Sequence, residues 1–211
     1  MKVVVFGANG AAGAEVLRAA QARGHAVTAF VRDPSTLTAF NGVGIVQGDA
    51  RDASAVAGAV RGQEVVVSAL GSRSLRKSDL LERSSGNIVA AMQRYQVQRL
   101  IVLGAAGAFH DATKHLDAIG RTFLRILLAT LLRNVSRDQA AQETRIEGSA
   151  LDYTIVRPPF LTNGPPTGIY RVDLEGLPAK WRPISRADVA AFMIEQLDDT
   201  SFVRKGPYIA K

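Results

Sequence analysis

Cysteine is absent from this 211-residue sequence and histidine occurs only three times. Without cysteine there are no disulfides, no thiolate metal sites and no thiol nucleophile. His25, His110 and His115 have no ligand-like spacing with carboxylates, so no metal centre is expected. No run approaches the roughly 20 apolar residues that span a bilayer. The apolar stretch after Met1-Lys2 breaks at Asn9-Gly10 instead of leading to a cleavage site, so a cytoplasmic location without a membrane partner is expected. Internal repeats, low-complexity tracts and linkers are also missing, and the length suits one domain covering 1–211.

What is present is a basic surface, with 26 Lys and Arg against 19 Asp and Glu, for a net charge of +7. The basic residues are scattered and accompany no nucleic-acid motif, so nucleic acid is not an expected partner. Such a field suits small anions, a phosphorylated cofactor among them.

Apolar runs alternate with helix-period segments along the chain. Strands are expected at 2–6, 26–31, 43–47, 64–70, 99–103 and 153–156, with helices at 12–23, 53–60, 80–95, 115–133 and 136–149. Gly24 reads as the cap that closes the first helix. Strands that are apolar on both faces and alternate with helices imply a doubly wound parallel α/β sheet. Beyond Arg157, proline and glycine accumulate, and only small elements are expected, at 169–172, 187–197 and 208–210. Residues from about 158 to 211 are therefore read as a small C-terminal cap that completes a substrate pocket.

The most informative stretch is GANGAAG, directly after the first strand. Gly7 is placed to make a tight turn, Gly10 to let backbone approach a diphosphate, and Gly13 to let helix and strand pack closely. The helix beginning near Ala11 and Ala12 then points free amides and the positive end of its dipole at the anion. Asn9 belongs to the same loop. The second strand ends in Arg32, which favours the 2′-phosphate of NADP, while Asp33 keeps NAD open. Asp49, with Ala50, follows the third strand and either reaches the adenine or caps a helix. Ala69, Leu70 and Gly71 follow the fourth and offer small residues and backbone.

GANGAAG, VRDP, QGDARD, SALGS, SGNIVAAM, IVRPP and ISRADVAAFM, in that order, resemble the atypical short-chain dehydrogenase/reductases with NmrA-like NAD(P)-binding domains, in particular the flavin and biliverdin-IXβ reductase group. The resemblance implies a single Rossmann-like domain and NADPH as hydride donor. It also implies flat acceptors: flavins such as FMN or FAD, quinones or linear tetrapyrroles. The residues departing from the wider family are as telling. Gly104-Ala105-Ala106-Gly107 follows the fifth strand where a serine is usual, and 136–149 holds neither tyrosine nor lysine. Reduction of a simple carbonyl needs a proton donor for the developing alkoxide, so alcohol, ketone and sugar chemistry is disfavoured. A conjugated acceptor delocalises charge and depends more on being held in place. An NADP-binding sensor without turnover is the other reading of the same departures.

Phe109, His110, Phe160, Tyr170 and Trp181 are candidates for flat pocket walls, and His110 is the one candidate proton donor among them. Arg73, Arg76 and Lys77 are placed to attract a flavin phosphate, or are simply solvated. The run 123–132 is apolar around most of its circumference, which suits a buried helix, a homodimer face or a lid over the acceptor.

Overall fold

The first strand, β1 (Lys2–Phe6), shows how the sheet is built. Its side chains alternate: Val3 and Val5 enter one core layer, Val4 and Phe6 the other. All four are wholly buried, each stabilising the fold by about 1.5–3 kcal/mol. A strand covered on both faces has no place for a polar residue, which explains the unbroken apolar run.

The computed structural model describes residues 1–37, 39–71, 77–106, 122, 130, 133–177 and 180–211. After β1 come α1 (Ala11–Ala22), β2 (Ala26–Val31), β3 (Gly44–Gln47), α2 (Ala53–Val60), β4 (Val65–Ser68), α3 (Leu80–Tyr95) and β5 (Arg99–Leu103). The later elements are α4 (Arg133–Glu147), β6 (Asp152–Val156), β7 (Leu161–Thr162), β8 (Arg171–Asp173), β9 (Ile184–Ser185), α5 (Arg186–Glu195) and β10 (Tyr208–Ala210). Six strands form one parallel sheet in the order β3-β2-β1-β4-β5-β6. The chain direction across the sheet reverses between β1 and β4, the position where ligands enter open α/β sheets. This is the expected Rossmann-like architecture.

One core layer joins α1 and α5 to the sheet, through Val16, Leu17, Val189 and Met193. The other joins α2, α3 and α4 through Val56, Ile88, Met92 and Ile146. The end of α1 is set as expected: Gly24 adopts φ +74°, its amide donates to Gln21 O, and the His25 amide donates to Ala20 O. These two bonds close the last turn in a Schellman arrangement.

Beyond β6 the expected small elements appear with shifted bounds. The segment expected at 169–172 is β8 at Arg171–Asp173, paired antiparallel with β10. Two further pieces, β7 and β9, were not legible at two residues each and pair parallel with one another. The helix expected at 115–133 lies outside the described residues apart from Thr122, Thr130 and Arg133, as does most of the run 123–132.

Candidate functional site

The turn from β1 into α1 is crowded by backbone. Gly7 has φ +76°, and a Cβ there would stand 2.7 Å from Ala69 O at the end of β4. A Cβ on Gly10 would lie 3.2 Å from Gly7 O, and one on Gly13 would be 2.8 Å from Ala8 Cα and closer still to Gly7 O. Gly7 thus makes the turn and Gly13 the packing contact that their spacing predicts, and Gly10 is crowded by the same turn. Gly10 caps α1 through its backbone with no side-chain hydrogen bond, and no acidic residue occupies the first turn. The first-turn amides and the dipole are therefore left for an anion. By contrast, Asp52 caps α2, accepting from the Ser54 and Ala55 amides.

In front of this turn lies a cleft of about 420 Å³. Gly7, Asn9, Gly10, Arg32, Asp49, Ala50, Ala69, Leu70 and Gly71 line it, and so do Phe30, Val31, Gly48, Arg51, Ser78 and Leu80, which the sequence reading did not single out. Ala11, Ala12 and Gly13 do not form its wall. Gly13 is buried beneath the loop, where it lets the helix approach. The walls are contributed by the ends of β1, β2, β3 and β4, the carboxyl edge of the sheet.

At the β2–β3 end of the cleft, charge is arranged with care for sign. Asp33 does not line the cleft; its Oδ1 accepts from the Ser35 amide at 3.0 Å and the Ser35 hydroxyl at 2.8 Å. Those bonds from Ser35 hold the Asp33 carboxyl below its ordinary range. Arg32 remains in the wall, its carbonyl accepting from the Gln47 amide group at 3.1 Å. Asp49 is no helix cap. Its Oδ1 accepts from the Arg51 backbone amide at 2.9 Å and from Nε at 3.1 Å, and its Oδ2 accepts from the other arm of the guanidinium at 2.7 Å. The forked Arg51 draws the Asp49 carboxyl down to about 2.

The remaining expected residues divide. Phe160 and Trp181 are brought together, ring centroids 6.0 Å apart. They stand outside the cleft wall, Trp181 packing on a small cluster of Ala106, Leu177, Tyr208 and Ala210. Tyr170 turns away: its ring meets Phe192 edge-on at 5.9 Å, and its hydroxyl donates to Glu195 at 3.2 Å. Burial, with Glu195 alongside, pushes its hydroxyl up to about 12. It stabilises α5 and does not wall the pocket. Tyr153 is buried in the β6 face toward α3 and α4, paired in register with Leu100 and remote from the cleft wall. Phe109, His110, Arg73 and Arg76 lie outside the described residues, and Lys77 is exposed.

The helix that follows β5 buries polar side chains where an apolar stripe is the norm: Asp138, Gln139, Gln142 and Glu143. Asp138 accepts from the Leu81 amide at 3.2 Å and the Glu82 amide at 3.1 Å, so it caps α3 from another helix. Glu143 accepts from Arg157 Nε at 2.9 Å and from its terminal nitrogen at 2.6 Å. Burial pushes the Glu143 carboxyl up to about 7, with Arg157 opposing. The helix contains no tyrosine and no lysine. Helical periodicity alone could not reveal this polar face, because its partners come from distant segments.

A glycine-rich turn at the switch point of a parallel sheet, an uncapped helix and a cleft along the strand ends define a dinucleotide-binding protein. The NAD(P)H-binding family model matches residues 7–200, and the chain belongs to that family. It is 31% identical over 127 residues to a 2-alkyl-3-oxoalkanoate reductase of Stenotrophomonas maltophilia, a match covering 57% of this chain and 38% of that protein. It is 34% identical over 101 residues to sterol demethylase protein B of Methylococcus capsulatus, covering 47% of this chain and 31% of that one. The matches thus span about a third of the length of these relatives. Among solved structures, ChuY, an anaerobillin reductase from Escherichia coli O157:H7, superposes with TM-score 0.81 at 26% identity, covering 99% of this chain and 96% of that one. The oxidoreductase YlbE from Lactococcus lactis has TM-score 0.80 at 21% identity over 99% and 90% of the two chains and shares the fold.

Proposed function

We propose that this protein is an NADPH-dependent reductase that reduces a flat conjugated acceptor such as a flavin, a quinone or a linear tetrapyrrole. The observation that carries the reading is a dinucleotide cleft in a fold whose helix α4 buries Gln139 and Glu143 and contains no tyrosine or lysine. Two similar proteins are named as reductases, one of them for an anaerobillin, which supports the class of chemistry.

The residues fit the cofactor: the turn at Gly7, Asn9 and Gly10 with the first-turn amides of α1 would hold its diphosphate, Arg32 its 2′-phosphate, and Ala69, Leu70 and Gly71 the far end of the cleft. When bound, NADPH supplies hydride. Asp33, turned to Ser35, lies outside the cleft wall. Phe160 and Trp181 give an aromatic pair against which a planar acceptor stacks. Because such an acceptor spreads the incoming charge through its conjugation, solvent completes protonation, and the chain contributes mainly by positioning.

Steady-state oxidation of NADPH by the purified protein, with FMN, FAD, menadione and biliverdin in turn, tests the reading. Turnover with at least one acceptor is expected, faster with NADPH than with NADH. Silence with all four refutes it, and tight NADPH binding without turnover would mark a sensor instead.

A further inference from the structure

We propose that Arg51 sets the choice between the two pyridine dinucleotides, by neutralising an acid that would otherwise repel the 2′-phosphate of NADPH; this rests on the reading that the cleft holds a dinucleotide. Among the described residues, the charged side chains in the cleft wall are Arg32, Asp49 and Arg51. They sit side by side because β2 and β3 are paired: Val31 stands opposite Gln47, and the Gly48 amide donates to Val31 O at 2.9 Å. Arg32 and Asp49 therefore leave neighbouring strand ends, and the field of Arg32 reaches the Asp49 carboxylate.

A carboxylate beside Arg32 repels a 2′-phosphate and so weakens NADPH without weakening NADH. Asp49 is such a group, yet both of its oxygens are taken by the planar fork of Arg51. A guanidinium suits this task because its paired donors match a carboxylate, which a lysine ammonium cannot do. Among these three groups one net positive charge then remains, at Arg32. Asp79 contributes a weaker field to Arg51 but is exposed and stands 3.7 Å from Arg83.

Removing Arg51 leaves Asp49 an uncompensated acid beside Arg32, and the two charges cancel. A structural role for Arg51, bracing its own turn, would weaken NADPH and NADH alike. The ratio of their dissociation constants separates the two, because only the electrostatic role moves it. Arg51→Ala, Arg51→Lys, Asp49→Asn and the double variant Asp49→Asn/Arg51→Ala are titrated with NADPH and NADH by calorimetry, alongside the unmutated protein, with folding checked by circular dichroism.

Arg51→Ala is expected to lower the preference for NADPH by roughly tenfold or more, the scale of one hydrogen bond to a charged group. Arg51→Lys should fall between. The double variant should regain the preference, since the acid has gone with its partner. An equal loss for both dinucleotides in Arg51→Ala, or no recovery in the double variant, overturns the proposal. If the unmutated protein binds neither dinucleotide, the reading of the cleft itself fails; if it binds both and the ratio never moves, only the role of Arg51 does.

Discussion

Replacing Gly13 by alanine puts two local effects in opposition. Inside a helix, alanine is favoured over glycine by about 1 kcal/mol, so with open space around it the substitution would stabilise α1. Here the new Cβ would lie 2.8 Å from Ala8 Cα, whereas ordinary van der Waals contact begins near 3.4 Å, and Gly7 O is nearer still. Both obstacles are backbone, so no rotamer change relieves them and the helix must move off the β1 turn. Overpacking of this kind costs about 1–3 kcal/mol, and rigid neighbours place it at the upper end. A net loss of about 2 kcal/mol corresponds to a fall in Tm of roughly 4–8 °C for a chain of this size. NADPH affinity should fall with it, because the amides that face the diphosphate move too. Gly86 in α3 is the control: a Cβ there meets nothing within 4 Å, so Gly86→Ala should raise stability by about 1 kcal/mol. Thermal unfolding followed by circular dichroism reads both. A Gly13→Ala variant as stable as the parent, or more so, would refute the packing argument.

Glu143 makes stability depend on pH. Between its ordinary value of 4.5 and about 7, the folded protein keeps a proton that the unfolded chain has released, so raising the pH through that window weakens the fold, on the order of 3 kcal/mol. Glu143→Gln, which cannot ionise, should flatten that slope; urea melts at pH 5 and pH 8 decide, and an unchanged slope rejects Glu143 as its source. Asp188 accepts from the Thr167 amide at 2.6 Å, the Gly168 amide at 2.8 Å and the Ser185 hydroxyl at 2.7 Å, tying the segment after β7 to the start of α5. Burial pushes its carboxyl up, but these bonds prevail and hold it below the usual range. Asp188→Ala should cost about 1–3 kcal/mol and open residues 163–168 to limited proteolysis, and an unaltered digestion pattern would show that the segment is held otherwise.

Residue pattern alone yields the succession of strands and helices because each central strand announces itself as an apolar run and each crossover as a helix. The cradle is legible for a related reason: glycine spacing is a direct imprint of backbone crowding. Boundaries shift by a residue or two, as at α1, expected at 12–23 and found at Ala11–Ala22. What escaped depends on partners distant in sequence. The two-residue strands β7 and β9 exist only through their mutual pairing. Tyr170 looks like any pocket aromatic until Glu195 and Phe192 claim it. Asp49 is a candidate cap in the sequence, and only the geometry shows that Asp52 caps α2 while Asp49 faces Arg51.

The bond from Asp138 to the first turn of α3 reaches beyond the helix it finishes. Ser78 and Leu80, on the rim of the cleft, sit at the threshold of that turn, so their position is governed by a side chain more than 50 residues downstream. The chain's early portion forms the dinucleotide groove, but one of its edges hangs from a later helix. A rotation of α4 would be felt there as a change in the width of the groove.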